Sequence, residues 1–121
     1  MKSVCMESVN CLLIPLGELP DSQPHGVDAL RDGANLSLII VRNGPQFSVY
    51  LNQCPHQGRR LDYAPGQFLT KSGNIICAAH GASFNLASGL CEQGPCRGES
   101  LLKLPAEVID GRLQVDVSGV A

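Results

Sequence analysis

Residues 36–51 read LSLIIVRNGPQFSVYL. Two runs of β-forming residues, Leu36 to Val41 and Phe47 to Leu51, flank the turn signal Asn43-Gly44, and this pattern predicts a β-hairpin. A second hairpin is expected near the C-terminus. There Ala106 to Ile109 and Leu113 to Val117 flank Asp110-Gly111, a dipeptide that tolerates the left-handed backbone of a tight reversal. Leu113, Val115 and Val117 alternate with Gln114 and Asp116, so one face of that strand is expected to be buried. Thirteen glycines and eight prolines punctuate the chain, and between them no apolar pattern of helical period lasts three turns. The expected fold class is all-β, an antiparallel sandwich or barrel.

A chain of 121 residues, 44% hydrophobic and 17% charged, has room for one domain spanning 1–121. Its longest apolar stretch, Cys11 to Gly17, is broken by Pro15 and is far shorter than the roughly 18 residues of a membrane span. Met1-Lys2 is followed by Glu7 and Asn10 rather than by a clean apolar run, so no export signal is expected. These features point to a soluble, cytoplasmic protein with no membrane association. The formal charge of −2 argues against a global grip on nucleic acid. Six cysteines without an export signal read as metal ligands or reduced thiols rather than disulfides.

Residues 53–98 differ in character from the rest. They hold four of the six cysteines, two of the three histidines and seven of the thirteen glycines. Turns are expected at Pro65-Gly66, Ser72-Gly73, Ser88-Gly89 and Gly94-Pro95. This segment is expected to form a small loop-rich lobe inserted between the two hairpins. Within it stand Cys54-Pro55-His56 and Cys77-Ala78-Ala79-His80, each pair offering one thiolate and one imidazole. Two loops so equipped suit a tetrahedral zinc or a [2Fe–2S] cluster of mixed ligation. Zinc fingers usually group cysteine with cysteine and histidine with histidine, whereas here each loop supplies one of each, a spacing that lets a loop straddle two metals. A zinc-binding structural or interaction module is the alternative.

The segments CPHQG (54–58), CAAHGASF (77–84) and GPC (94–96) resemble, in type and order, the motifs of the Rieske family. The likeness is to its soluble ferredoxin-type members, the ferredoxin components of ring-hydroxylating dioxygenases and the small subunits of assimilatory nitrite reductases. It covers about residues 36–117. The resemblance implies a Rieske-like β-sandwich or barrel base whose lobe, residues 53–98, binds one [2Fe–2S] cluster. It also implies that Cys54 and Cys77 hold the inner iron and His56 and His80 the outer one. Gly94-Pro95-Cys96 is then the third loop that closes over the cluster, and Gly58 and Gly81 allow tight folding around sulfide. Two thiolates leave the oxidised cluster neutral, while four leave it doubly negative, so histidine ligation makes an added electron easier to accept.

The implied role is that of a one-electron carrier, not a catalyst by itself. Its partners are a reductase and a terminal oxygenase, or a nitrite reductase large subunit. With His56 and His80 engaged, only His25 remains, too few for a mononuclear iron site of two histidines and a carboxylate. His25, between Pro24 and Gly26, is expected in an exposed turn. No dinucleotide fingerprint, P-loop or G-x-S-x-G is present. Residues 53–98 carry +2 (Arg59, Arg60, Lys71 and Arg97 against Asp62 and Glu92) and the rest −4. Arg59 and Arg60 are expected to rim the metal edge and to steer an acidic partner. Cys96 is expected as a small buried wall residue and Cys91 as a half-buried thiol, with a redox pair as the alternative. Cys5 and Cys11 read as ordinary thiols.

Respiratory members of the family carry an additional cysteine in each metal loop, where this chain has Arg59 and Ala79, and a hydroxyl two residues after the second histidine, where it has Ala82. Without that hydroxyl the reduced state is less stabilised. A redox titration is expected to place the midpoint near the low end of the roughly −150 to +300 mV range of such centres, and a clearly positive midpoint would refute this.

Overall fold

Within LSLIIV, residues Leu38 to Val41 are apolar at consecutive positions because they are buried on both faces. In the computed structural model, which describes residues 11–19, 23–31, 34–43, 46–53, 55, 60–64, 67–77, 81–94 and 96–117, the run lies in β3 (Ala34–Asn43). Successive side chains of a strand point to opposite faces. Accordingly Leu38 and Ile40 enter one core, and Ile39 and Val41 enter another.

The first core lies between two antiparallel sheets. The central sheet has the order β2 (Pro24–Arg31), β3, β4 (Gln46–Leu51) and β9 (Lys103–Leu104). The outer sheet consists of β1 (Cys11–Pro15), β11 (Arg112–Asp116) and β10 (Ala106–Ile109), with β11 in the middle. Ile14, Leu113, Val115 and Val117 from the outer side meet Leu38, Ile40, Val49 and Leu104 from the central sheet. The alternation expected for Leu113, Val115 and Val117 is present, all three being buried between half-buried neighbours.

A third antiparallel sheet builds the lobe, running β5 (Leu69–Lys71), β6 (Asn74–Ile76), β7 (Ser83–Asn85) and β8 (Cys91–Gln93). Its inward residues Ile75, Phe84 and Cys91 pack with Ile39, Val41 and Tyr50 of the central sheet. The Tyr50 hydroxyl donates to the Leu86 carbonyl at 3.0 Å, and burial pushes the phenol pKa up. A Cβ added to Gly89 would stand 2.7 Å from the Tyr50 ring. The ring therefore sets how closely the lobe approaches the central sheet.

Both expected hairpins form. In β10–β11 the ladder ends at Ile109↔Arg112, with Asp110 at φ 52° and Gly111 at φ 73°, the doubly left-handed geometry of a type I′ turn. Ser72 (φ 53°) and Gly73 (φ 80°) join β5 to β6 in the same way. The β3–β4 ladder runs to Asn43↔Gln46 and so takes in Asn43, the expected first residue of the turn, while residues 44–45 lie outside the described residues. Strands β1 and β2 carried no strand signal in the sequence. His25 is half-buried in β2 opposite Ile40, not in an exposed turn; the ladder offered by β3 overrides the turn character of Pro24-His25-Gly26. Among the described residues there is no α-helix, only a 3-10 turn at Leu16–Glu18. No helix among them is long and apolar enough to cross a membrane.

Leu38 is fully buried, whereas Leu13 on β1 is 49% exposed. Leu38→Ala is expected to lower unfolding free energy in urea by about 2–5 kcal/mol, and Leu13→Ala to change it by no more than about 0.5 kcal/mol.

Candidate metal centre

Cys77 follows β6 and continues its inward alternation from Ile75, so the thiol enters the lobe core at 1% exposure. The chain then turns back on itself. The Gly81 N–H donates to the Cys77 carbonyl at 2.9 Å, and the Cys77 N–H donates to the Ala82 carbonyl at 2.7 Å. These two bonds clamp the base of the segment that carries His80. Gly81 has φ +75°, and a Cβ there would meet nothing within 4 Å, so the demand for glycine is conformational rather than steric. Residues 78–80, His80 included, lie outside the described residues.

The segment carrying Cys54 and His56 is held differently. Those two ligand candidates lie outside the described residues, but its flanks are described. Asn52, 5% exposed, accepts the Leu61 N–H on its Oδ1 at 2.7 Å. Its Nδ2 donates to Ser37 Oγ and to Asp62 Oδ1, both at 3.1 Å, and its own N–H donates to the Ser37 carbonyl at 2.9 Å. One buried amide thus ties both ends of residues 53–60 to each other and to the central sheet. Reading the sequence missed Asn52. The only signal was a polar residue placed directly after the apolar strand FSVYL.

Arg60 does not stand as an unopposed cation. Its Nε and Nη2 donate to the two Asp62 carboxylate oxygens at 3.0 and 2.8 Å, and that carboxylate raises the Arg60 pKa above its usual value. The Asp62 side chain is nearly buried and the Arg60 side chain half exposed. The pair braces the flank of the first segment, so the Arg60 charge is met by Asp62 within the chain rather than standing by itself at the surface. Arg59 lies outside the described residues.

The third segment lies directly on the second. Gly94 has φ +105°, and a Cβ there would stand 2.7 Å from Ala82 Cα. No other residue permits that approach. Cys96 and Cys91 are both buried, at 2% and 1% exposure, with their Sγ atoms 3.2 Å apart. Cys96 is the buried wall residue expected; Cys91 is more deeply buried than expected, because β8 turns it inward opposite Phe84.

Among the described residues, no group of three or more His, Cys, Asp and Glu gathers where a metal ion could sit. Cys77 is the one candidate ligand among them. Its surroundings still test the fit of a sulfur-ligated cofactor. A thiol buried with Leu61, Ala82, Phe84 and Cys96 is a soft donor in a water-poor setting. The small residues Gly81, Ala82 and Gly94 leave main chain close by, and backbone N–H groups are suited to sulfide. The donor chemistry and the small-residue cradle fit an iron–sulfur cluster.

A family model described as Rieske [2Fe-2S] domain matches residues 10–110. A comparison with curated protein sequences found no match. Among solved structures, the chain is similar to the ferredoxin of carbazole 1,9a-dioxygenase from Nocardioides aromaticivorans IC177, with TM-score 0.64 and 24% identity over 86% of this chain and 93% of that one. It is also similar to a chain in a complex of reduced oxygenase and oxidized ferredoxin in carbazole 1,9a-dioxygenase, with TM-score 0.69 and 24% identity over 90% of this chain and 94% of that one. The terminal oxygenase of carbazole 1,9a-dioxygenase from Novosphingobium sp. KA1 matches with TM-score 0.72 and 17% identity over 93% of this chain. This chain spans only 31% of that oxygenase chain, and 28% of the matched chain in a reduced oxygenase–ferredoxin complex. At these identities the likeness shows the fold.

Asn52→Ala leaves the buried Leu61 N–H without its acceptor. It is expected to cost about 1–3 kcal/mol in urea unfolding and to speed hydrogen exchange at the Leu61 amide. Exchange unchanged at Leu61 would show that Asn52 is not the clamp.

Proposed function

The chain belongs to the Rieske [2Fe–2S] domain family, and from that premise we propose that it is a one-electron carrier, the ferredoxin component of a multicomponent oxygenase system. The family's cofactor is a [2Fe–2S] cluster. In this reading Cys54 and Cys77 hold the inner iron and His56 and His80 the outer one, all within the lobe of residues 53–98 of a single domain, 1–121. When bound, the cluster takes up and gives back one electron.

The residues of this chain define what surrounds that exchange. Cys77, Leu61, Ala82 and Phe84 exclude water from the inner side. Asn52 and the Cys77–Ala82 clamp fix the bases of both ligand segments, so little rearrangement accompanies a change of charge. The histidine side would face the partner across a small, short-lived interface. The proposed partners are a reductase that supplies the electron and a terminal oxygenase that consumes it. The proposed setting is the cytoplasm, with neither nucleic acid nor membrane bound.

The observation that carries this reading is the family match over residues 10–110 together with the likeness to a ferredoxin of which this chain covers 93%. It is supported by the histidine count. Beyond His56 and His80 there is only His25, which β2 places in the central sheet opposite Ile40. The residues present do not make a mononuclear oxygenase site, so the chain is proposed as a carrier and not a catalyst by itself.

The protein purified without oxygen is expected to be red-brown, with two irons and two sulfides per chain, and to pass electrons from a ferredoxin reductase to a terminal oxygenase. Cys77→Ser is expected to lose the colour and the iron together. A colourless protein holding zinc would overturn the proposal, and co-purification with a sirohaem-containing subunit would overturn the assignment to an oxygenase.

A further inference from the structure

The sequence Cys91-Glu-Gln-Gly-Pro-Cys96 brings two thiols into contact within the proposed cluster-binding lobe, and neither is among the proposed ligands. The backbone holds them there. The Cys91 N–H donates to the Glu99 carbonyl at 2.7 Å, the Gly98 N–H to the Cys91 carbonyl at 3.0 Å, and the Glu99 N–H to the Cys96 carbonyl at 2.9 Å. The turn between them is completed by the Arg97 N–H donating to the Gly94 carbonyl at 3.2 Å. The entropy of bringing the two residues together is therefore already met by the fold.

The side chains are also arranged in order. Cys96 Sγ donates to Cys91 Sγ at 3.2 Å, and Cys91 Sγ donates to the Gln93 carbonyl at 3.2 Å. A disulfide needs the sulfurs at about 2.05 Å. Each atom then moves by about half an ångström, within reach of a small side-chain rotation. The thiols lie one residue beneath a surface formed by exposed Glu92, Gln93, Gly94, Arg97 and Gly98. Both thiols are buried, so a compact oxidant reaches them through an opening of that turn.

We propose that Cys91 and Cys96 form an oxidisable dithiol, reduced at rest and closed to a disulfide by a peroxide. A thiolate at one cysteine attacks a peroxide oxygen, giving a sulfenic acid and water once a proton is taken up. The sulfur of the other displaces the second oxygen as water. In sum, two thiols and one hydrogen peroxide give one disulfide and two waters, the sulfurs losing the two electrons that the peroxide gains. The new bond ties β8 to the segment at Gly94 and Cys96, which rests on Ala82 at the base of the His80 segment. Oxidation thus staples the wall behind one proposed ligand loop. Nothing in this step depends on the electron-carrier reading.

The test uses the purified holoprotein, treated with hydrogen peroxide at near-equal molarity while its visible spectrum is followed, then quenched, denatured and alkylated for peptide mass mapping. The expected product is a peptide linking Cys91 to Cys96, lighter by two hydrogens, carrying no alkyl label and regaining two labels after dithiothreitol. Amide exchange over 94–99 is expected to slow several-fold on oxidation and to stay unchanged in Cys96→Ser. Three results would overturn the proposal: both cysteines taking up label, an oxygenated sulfur without a crosslink, or a link from either cysteine to a different one. A zinc-loaded, colourless protein that still forms the 91–96 link would sink only the electron-carrier reading. An intact cluster without the link would sink only this one.

Discussion

Burial of β3 on both faces ties the layers of the molecule together. Leu38 and Ile40 pack toward β1, β10 and β11, while Ile39 and Val41 pack toward the lobe sheet. Because side chains alternate with a period of two, a slip of one residue would exchange the two sets between cores of different shape. Both cores therefore enforce one register, and β4 follows it through Val49 on one side and Tyr50 on the other. Tyr50 then hands the orientation to the lobe through its contact with Gly89 and its bond to Leu86. The placement of Cys77 descends from this chain of contacts.

Two different devices hold the proposed ligand segments. Among the described residues, the second segment closes by main-chain bonds, between Cys77 and Gly81 and between Cys77 and Ala82. The first depends on the Asn52 side chain, which spends its carbonyl on Leu61 and its amide on Ser37 and Asp62. Arg60 extends that set by pairing with Asp62. A buried amide costs free energy when unpaired, so Asn52 earns its place by satisfying three partners at once.

Much of this was legible in the sequence, and the misses share a cause. The β3–β4 and β10–β11 hairpins announce themselves through local patterns, an unbroken β-forming run and a dipeptide that accepts left-handed φ. Ser72-Gly73 was readable for the same reason. The segments 54–58 and 77–84, on which the family resemblance and the proposed ligands rest, stand out because their pattern is local, whereas the approach of Gly94 to Ala82 shows only in the folded chain. Strands β1 and β2 were not readable, because their strand character comes from distant partners: Ile14 faces Leu113, and His25 faces Ile40. Asn52 and the Arg60–Asp62 pair were hidden because hydrogen-bond partners and burial are properties of the folded chain. The depth of Cys91 was hidden likewise, set by its pairing with Phe84 rather than by its neighbours in sequence.

Both proposed ligand segments are secured at their bases by bonds that leave the ligating side-chain atoms unused, main chain in one case and Asn52 with Ser37 in the other. That separation divides the labour along the chain. On the proposed reading, positions of the two segments other than Cys54, His56, Cys77 and His80 can change, and with them the fit to one redox partner over another, while the anchoring groups are left alone. A scaffold so arranged can diverge in the company it keeps without having to be reinvented.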